Sequence, residues 1–224
     1  MEVRLLEATS EPEQLICQGA RNDYSEGFVG EPADTREELL LATYEALCAH
    51  GYADLTVDRI AAAFPKSKSL IYHHYDGKDD LLLDFLDFAL ERFEATVPLD
   101  PPEDAPDAHL REVLDHVLAS SLSAERREFA AAMVDLRAQA ASDERFRAAF
   151  SRHDRFFRER FAAILRAGID AGVYREVDPE ATAATLVTLV NGAMTERVTT
   201  DDAPVEAIRA EVERFLEATL RRES

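Results

Sequence analysis

The chain has 224 residues, 46% of them hydrophobic, with 45 Asp and Glu against 25 Lys and Arg, a formal net charge of -20 and no Trp. That apolar content is enough to bury a core as one domain or as a small domain joined to a larger one, and it excludes wholesale disorder. Only three of the basic residues are Lys, and the rest are Arg. An acidic, lysine-poor surface suits high salt, where the Debye length falls to about 3 Å at about 1 M and self-repulsion is screened, so the composition is read as suited to high salt, the plainer alternative being an ordinary acidic protein. Cys17 and Cys48 fall in no CxxC or Cys/His ligand spacing, which argues against a disulfide framework or structural zinc and fits a reducing cytoplasm. No run of about 18 apolar residues and no signal-like amino terminus is present, so neither export nor a membrane span is expected.

Residues 1–33 carry Gly19, Gly27, Gly30, Pro12 and Pro32 without a helical period and are read as a flexible extension. From Asp34 the pattern changes. Leu39, Leu40, Thr43, Tyr44, Leu47 and Cys48 recur at three- and four-residue spacing, opened by Asp34 and Thr35 and closed by Gly51, which predicts an amphipathic helix. A second, short helix is expected from Val57 to Phe64 behind Thr56, with Ile60, Ala61 and Phe64 inward and Pro65 ending it. Ser67 caps a third through about His74, with Ile71 and Tyr75 inward. A fourth runs from about Gly77 to Thr96 on a stripe of Leu82, Phe85, Ala89 and Phe93, its acidic first turn of Asp79 and Asp80 matched to the helix dipole. The segment Pro98-Leu-Asp-Pro-Pro-Glu-Asp-Ala-Pro106 holds four prolines in nine residues and is the internal linker.

Beyond the linker every segment reads as helix. Leu110, Val113, Leu114, Val117, Leu118 and Leu122 mark one, and Phe129, Met133, Leu136 and Ala140 the next. Phe146, Phe150, Phe157, Phe161 and Ile164 mark a long one ending near Gly168 and Gly172. Two more follow, one opened by Asp178-Pro179 and apolar on several sides, the last marked by Val205, Ile208, Val212, Phe215 and Leu216. No strand alternation and no internal repeat occurs. The fold class is therefore all-α.

Two short helices joined by a tight turn, with a helix before and a long helix after, form the layout of a helix-turn-helix, whose second short helix enters the DNA major groove. Residues from Thr35 to Leu86 resemble, without gaps, the amino-terminal DNA-binding domain of TetR/AcrR-type transcriptional regulators, most specifically in Ile71-Tyr-His-His-Tyr75 followed by Lys78-Asp-Asp-Leu81. The resemblance implies a DNA-binding domain over 34–80 and a larger helical effector-binding and dimerisation domain over 81–224. It implies that Thr56 offers its hydroxyl and backbone N–H groups to a phosphate, that Ser67 and Lys68 meet phosphates, and that Ser69 and Leu70 lie nearest base edges. Tyr72 and His73 would press on the sugar-phosphate backbone beside the exposed His74, and Lys78 would anchor the opposite side.

Two departures from the family pattern matter. Pro65-Lys66 stands where Gly-Val is usual, and proline is locked near a φ of about -65°, so the turn must differ locally. Leu70 replaces a small or hydroxyl residue, so a thymine methyl is its expected contact rather than a hydrogen bond. Between positions 59 and 78, Arg59, Lys66, Lys68 and Lys78 stand against the single acid Asp76, a local excess of three positive charges that includes every lysine of the chain. This cluster favours a phosphate-facing role in a protein otherwise too acidic for one.

Other residues carry weaker chemistry. The adjacent His73 and His74 point about 100° apart on a helix and share no ligand sphere. His109 and His116, seven apart, are expected to be exposed on an amphipathic helix, and no metal or other cofactor is called for. No nucleophile motif or phosphate-cradling loop is present, so no catalytic residue is assigned. The Phe stripes are core by default. The family resemblance implies a small-effector cavity after the linker, with Phe93, Phe129, Met133, Phe156 and Phe157 as its candidate lining. It also implies a homodimer through the last two helices, whose recognition helices meet the half-sites of a palindromic double-stranded operator. The reading is a repressor released from its operator by a small molecule. The alternative is a helical ligand-binding or adaptor protein whose helix-turn-helix has lost sequence-specific DNA binding, which the Pro65-Lys66 turn leaves open.

Overall fold

The structure, a computed structural model, describes residues 32–96 and 105–221. The expected amino-terminal extension and proline-rich linker lie almost wholly outside the described residues. Among these residues every regular element is a helix: α1 (Thr35–Asp54), α2 (Val57–Ala63), α3 (Lys68–His74), α4 (Lys78–Thr96), α5 (Pro106–Val117), α6 (Ala124–Gln139), α7 (Glu144–Asp170), α8 (Pro179–Thr199) and α9 (Val205–Leu220).

Local chemistry sets most of these boundaries. Six helices open on a side-chain cap: Asp34, Thr56, Ser67, Ser123, Asp143 and Asp178 each accept a hydrogen bond from a first-turn backbone N–H. Such a cap contributes about 1 kcal/mol by satisfying a donor the helix leaves orphaned. Gly51 takes φ 68° and breaks α1 before its last residues, which turns the chain toward α2, a left-handed backbone that glycine adopts without strain. Gly172, at φ 72°, closes α7, where the N–H groups of Val173 and Tyr174 reach back to the Gly168 carbonyl at 2.9 and 3.0 Å, the wrapped ending typical of a glycine C-cap.

Two buried clusters organise the packing. The first joins α1, α2, α3 and α4 to Ala132, Met133 and Leu136 of α6 and to Phe146, Ala149 and Phe150 of α7. The second joins α5, the carboxy-terminal half of α7, α8 and α9 around Leu110, Phe161, Leu165, Tyr174, Leu186, Val212 and Leu216. With 27 residues, α7 is about 40 Å long at 1.5 Å per residue and contributes to both clusters. The helix-turn-helix therefore shares its apolar core with the helices that follow, and a displacement of α6 or α7 is felt at α1 and α4.

Three expectations about the helices and their burial are corrected by the structure. The stripe that ran to Leu122 stops earlier: α5 ends at Val117 and Leu118 caps it, while Ser123 opens the next helix by accepting from the Arg126 N–H. Phe64 is buried but stands just past the end of α2, with extended backbone. His109, expected to be exposed, is 6% exposed with no partner for its Nε2 among the described residues. It stands one turn before Val113 on the stripe that α5 packs inward, and His116 is half-buried on the same helix.

Candidate nucleic-acid interface and ligand cavity

The recognition unit is assembled from its caps outward. Thr56 Oγ1 accepts from the Arg59 N–H at 3.2 Å, which starts α2, and Ser67 Oγ accepts from the Ser69 N–H at 3.2 Å, which starts α3. The two serine hydroxyls lie 2.6 Å apart. Ile60, Phe64 and Ile71 are the buried anchors of the two short helices. With Pro65 and Lys66 exposed, Phe64 supplies an apolar anchor ahead of the turn, and the residues that flank the turn, Phe64 at φ -89° and Ser67 at φ -67°, are both extended. The far end of α3 is fixed by a short polar chain, in which the Tyr75 hydroxyl donates to Asp84 Oδ2 at 2.5 Å and Arg36 pairs with the same carboxylate. Burial raises the Asp84 pKa, but hydrogen bonds from Arg36 and Tyr75 outweigh it and hold the carboxyl below its usual range. Burial, with help from that hydrogen bond, raises the Tyr75 phenol.

Thr56, Ser67, Ser69, Tyr72, His73 and His74 are all exposed, Tyr72 at 55%, and the His73 and His74 rings meet edge to face at 4.9 Å. Leu70, expected near base edges, is partly buried against the first core cluster. The lysines are not bare charges. Lys66 Nζ lies 2.5 Å from Glu38 Oε2 and donates to Thr35 Oγ1 at 2.7 Å. Lys68 pairs with Asp58 and stands 5.4 Å from the Tyr72 ring centroid. Lys78 is half-buried, donates to the Tyr52 carbonyl at 2.8 Å and lies over the Tyr52 ring at 4.2 Å. The excess of three charges counted along the chain is thus offset in space by Glu38, which α1 brings across, and by Asp58, one position outside the counted window.

The second feature is a cavity of about 280 Å³ bounded by α1, α4, α5, α6, α7 and α8. Phe93, Phe129, Met133 and Phe157 line it as the sequence anticipated. Phe156 does not: it stands edge-on to Phe157 at 5.2 Å with the Arg160 guanidinium over its ring at 5.2 Å, since neighbours on a helix point about 100° apart. The sequence reading missed the polar part of the lining, which includes Arg92, Arg126, Arg137, Arg197, His116, His153, Asp154 and Asn191. His153 is 9% exposed and its Nε2 meets the Leu86 carbonyl at 2.9 Å; burial depresses its pKa, against the upward pull of that hydrogen bond. Arg137 grips Asp154 through two hydrogen bonds of 3.0 and 2.8 Å. No sequence motif flags these residues, because they are gathered from five different helices.

Comparison with known proteins decides the family. Residues 106–221 match the carboxy-terminal domain of BetI-type transcriptional repressors, and residues 39–85 match the bacterial regulatory proteins of the TetR family. The chain belongs to the TetR family. A TetR transcription regulator from Haloarcula marismortui shares 38% identity at a TM-score of 0.76, covering 84% of this chain and 99% of that one. The repressor AcnR of Corynebacterium glutamicum is 28% identical over 193 residues, 86% of this chain and 95% of AcnR. A transcriptional regulator from Saccharomonospora viridis, solved with choline, is 18% identical at a TM-score of 0.65, covers 84% of this chain and 98% of its own, and bears on the fold alone. This TetR-family chain is a DNA-binding transcriptional regulator, and its acidic composition is consistent with the halophilic source of the Haloarcula structure. TetR-family members as a class are regulators rather than enzymes, and bind operators and small effectors as dimers. No helix among the described residues is long and apolar enough to cross a membrane.

Proposed function

We propose that the chain is a cytoplasmic, homodimeric repressor that binds a palindromic double-stranded operator through the domain over 34–80 and leaves it when a small molecule enters the domain over 81–224. The observation that carries this reading is the exposed polar face of α3. Ser67, Ser69, Tyr72, His73 and His74 face solvent beside the cap Thr56, while the opposite side of the unit is locked by Ile60, Phe64 and Ile71. Helix N-termini with spare backbone donors suit phosphates, and side chains on an anchored short helix suit the major groove. In this reading Lys68 and Lys78 exchange Asp58 and the Tyr52 carbonyl for phosphate oxygens when DNA arrives. Lys66 positions the turn by holding α1, and Leu70 contributes a methyl contact from its uncovered edge.

Dimerisation through α8 and α9 is supported by the outer face of α8, where Ala181, Thr185, Thr188, Leu189 and Gly192 are exposed. Among the described residues Leu189 is one of the few large apolar side chains left in solvent, 37% exposed. Small residues there allow close helix approach, and a two-fold axis at that face presents two recognition helices to half-sites about 34 Å apart.

The test is selection of bound sequences from a genomic DNA library with the purified dimer, followed by binding to the selected site at fixed salt. Tyr72→Ala and Lys78→Ala are expected to weaken that binding while the dimer stays intact on sizing. Unchanged affinity in both variants refutes the proposal.

A further inference from the structure

The lysines are held in two ways. Lys66 and Lys68 each meet a carboxylate, Glu38 and Asp58 respectively. Lys78 does not: among the described residues its partners are the Tyr52 carbonyl at 2.8 Å and the Tyr52 ring, whose centroid lies 4.2 Å from Nζ. The carbonyl belongs to the last residues of α1, past the break at Gly51, where helix carbonyls have no internal partner. The ring attracts the ammonium through its electron-rich face. Both partners are neutral, so they fix the ammonium without cancelling its charge. Tyr52 is itself anchored to three other helices. Its hydroxyl donates to Asp79 Oδ1 of α4 at 3.1 Å, its backbone N–H donates to Asp135 Oδ2 of α6 at 3.4 Å, and its ring meets Phe146 of α7 edge-on with centroids 6.2 Å apart. Phe146 is fully buried. The acids of the first turn of α4 are engaged by α7 instead of by the lysine: Arg145 reaches Asp80 at 2.9 Å and Asp79 at 3.9 Å, beside its own neighbour Asp143 at 3.0 Å.

Resting on the reading of Lys78 as a phosphate contact, we infer that Tyr52 is a positioning residue for operator binding: its ring seats the Lys78 ammonium at the start of α4, and a phosphate oxygen replaces the Tyr52 carbonyl while the ammonium stays over the ring. A lysine has a flexible stem whose freedom is lost when the ammonium meets a phosphate. One that is already seated loses less, and the same contact then binds more tightly. In a chain with only three lysines, two of them tied to carboxylates, this seat keeps one cation both placed and uncancelled. The Asp79 hydrogen bond and Phe146 set the plane of the ring. The seat is therefore built in part by α7, which also walls the cavity through Phe150 and Phe157.

Binding of the full-length dimer to its selected operator at one KCl concentration tests this in a double-mutant cycle of Tyr52→Leu and Lys78→Ala. Tyr52→Leu is expected to weaken binding by about three- to tenfold, and Tyr52→Phe, which keeps the ring and loses only the hydroxyl, recovers most of that loss. In the Lys78→Ala background Tyr52→Leu should cost less than about twofold, since the ring then has nothing to seat. If Tyr52→Leu does not fold as a dimer, Tyr52→Met, which fills the space without a ring, takes its place in the cycle. Full affinity in Tyr52→Leu, a loss by the same factor with and without Lys78, or a Tyr52→Phe as weak as Tyr52→Leu overturns the inference. The second of these is the result a merely structural tyrosine gives. Lys78→Ala without effect while Tyr72→Ala weakens binding also overturns it and leaves the operator-binding reading in place, whereas full affinity in both single variants refutes both.

Discussion

Gly168 offers the sharpest test of the packing, because two opposing effects act at one position. It lies inside α7, where replacing glycine by alanine ordinarily stabilises a helix by about 1 kcal/mol. Here a Cβ would stand 2.1 and 2.2 Å from Cδ2 and Cε2 of Tyr174, and 3.0 Å from its Cγ. Carbon atoms pack at about 3.5–4.0 Å, so the ring would have to retreat by about 1.5 Å. Tyr174 is 2% exposed and its hydroxyl donates to Asp107 Oδ1 at 3.3 Å, which leaves no free space to retreat into. Overpacking of this kind costs about 1–3 kcal/mol, and disturbing the hydroxyl's bond adds about 0.5–1.5 kcal/mol. Against the helix gain, Gly168→Ala is expected to destabilise the protein by about 1–3 kcal/mol. The assay is urea unfolding at fixed protomer concentration and molar KCl, where the midpoint falls and the slope stays constant. In a Tyr174→Ala background the same substitution should reverse sign and stabilise by up to about 1 kcal/mol. A wild-type-like midpoint for Gly168→Ala, or the same sign in both backgrounds, refutes the close approach of ring and helix.

Other outcomes follow from the same structure. Tyr72→Ala, at a position 55% exposed, should leave the urea midpoint unchanged and weaken operator binding by about three- to tenfold, the loss of one hydrogen bond; a fall in stability would place the ring in the fold instead. Lys66→Ala, which removes the tie to Glu38 and Thr35, should weaken operator binding less than Tyr72→Ala in the same titration, and an equal or larger loss makes Lys66 a phosphate contact. His153 has a folded pKa below its ordinary 6.5, so the unfolded chain takes up the proton first. Its contribution to stability is therefore complete above about pH 6.5 and is lost as pH falls through that value toward the folded one. Urea midpoints taken between neutral pH and pH 5 should show a decline that His153→Gln flattens, and an unaltered pH profile in that variant counts against a buried neutral imidazole. Operator affinity should fall with salt less steeply than for a basic repressor with as many phosphate contacts, and a steep loss toward molar salt refutes the high-salt reading of the composition.

The helices were legible because their causes are local. Asp34, Thr56, Ser67 and Asp178 act on the backbone two or three residues ahead, Gly51 interrupts a helix through its freedom to take positive φ, and Pro65 ends one through its missing N–H and its steric push of Phe64 into extended backbone. The three- and four-residue spacing of Leu39, Leu40, Thr43 and Leu47 reports a buried face whatever covers it. The candidate DNA face was legible for the same reason: Tyr72, His73 and His74 share a short helix whose inward position, Ile71, is plain in the pattern.

Where the charges go was not legible, because it depends on residues far apart in the chain. Lys66 meets Glu38 only after α1 folds across the turn, and Arg197 meets the carbonyl of Ala119 from 78 positions away. The same limit hid His109, whose helix stripe turned out to be covered, and it separated Phe156 from Phe157, which differ by one position and by about 100° of helix rotation. The sequence by itself determined an all-helical chain with a capped helix-turn-helix near its amino terminus and an acidic, lysine-poor composition, since periodicity, capping and composition are properties of neighbouring residues or of their sum. Only the tertiary structure decided that the lysines are held by partners, that four arginines line one cavity and that Gly168 lies under the Tyr174 ring, because electrostatic pairing and close packing are set by distances in space that no local pattern encodes.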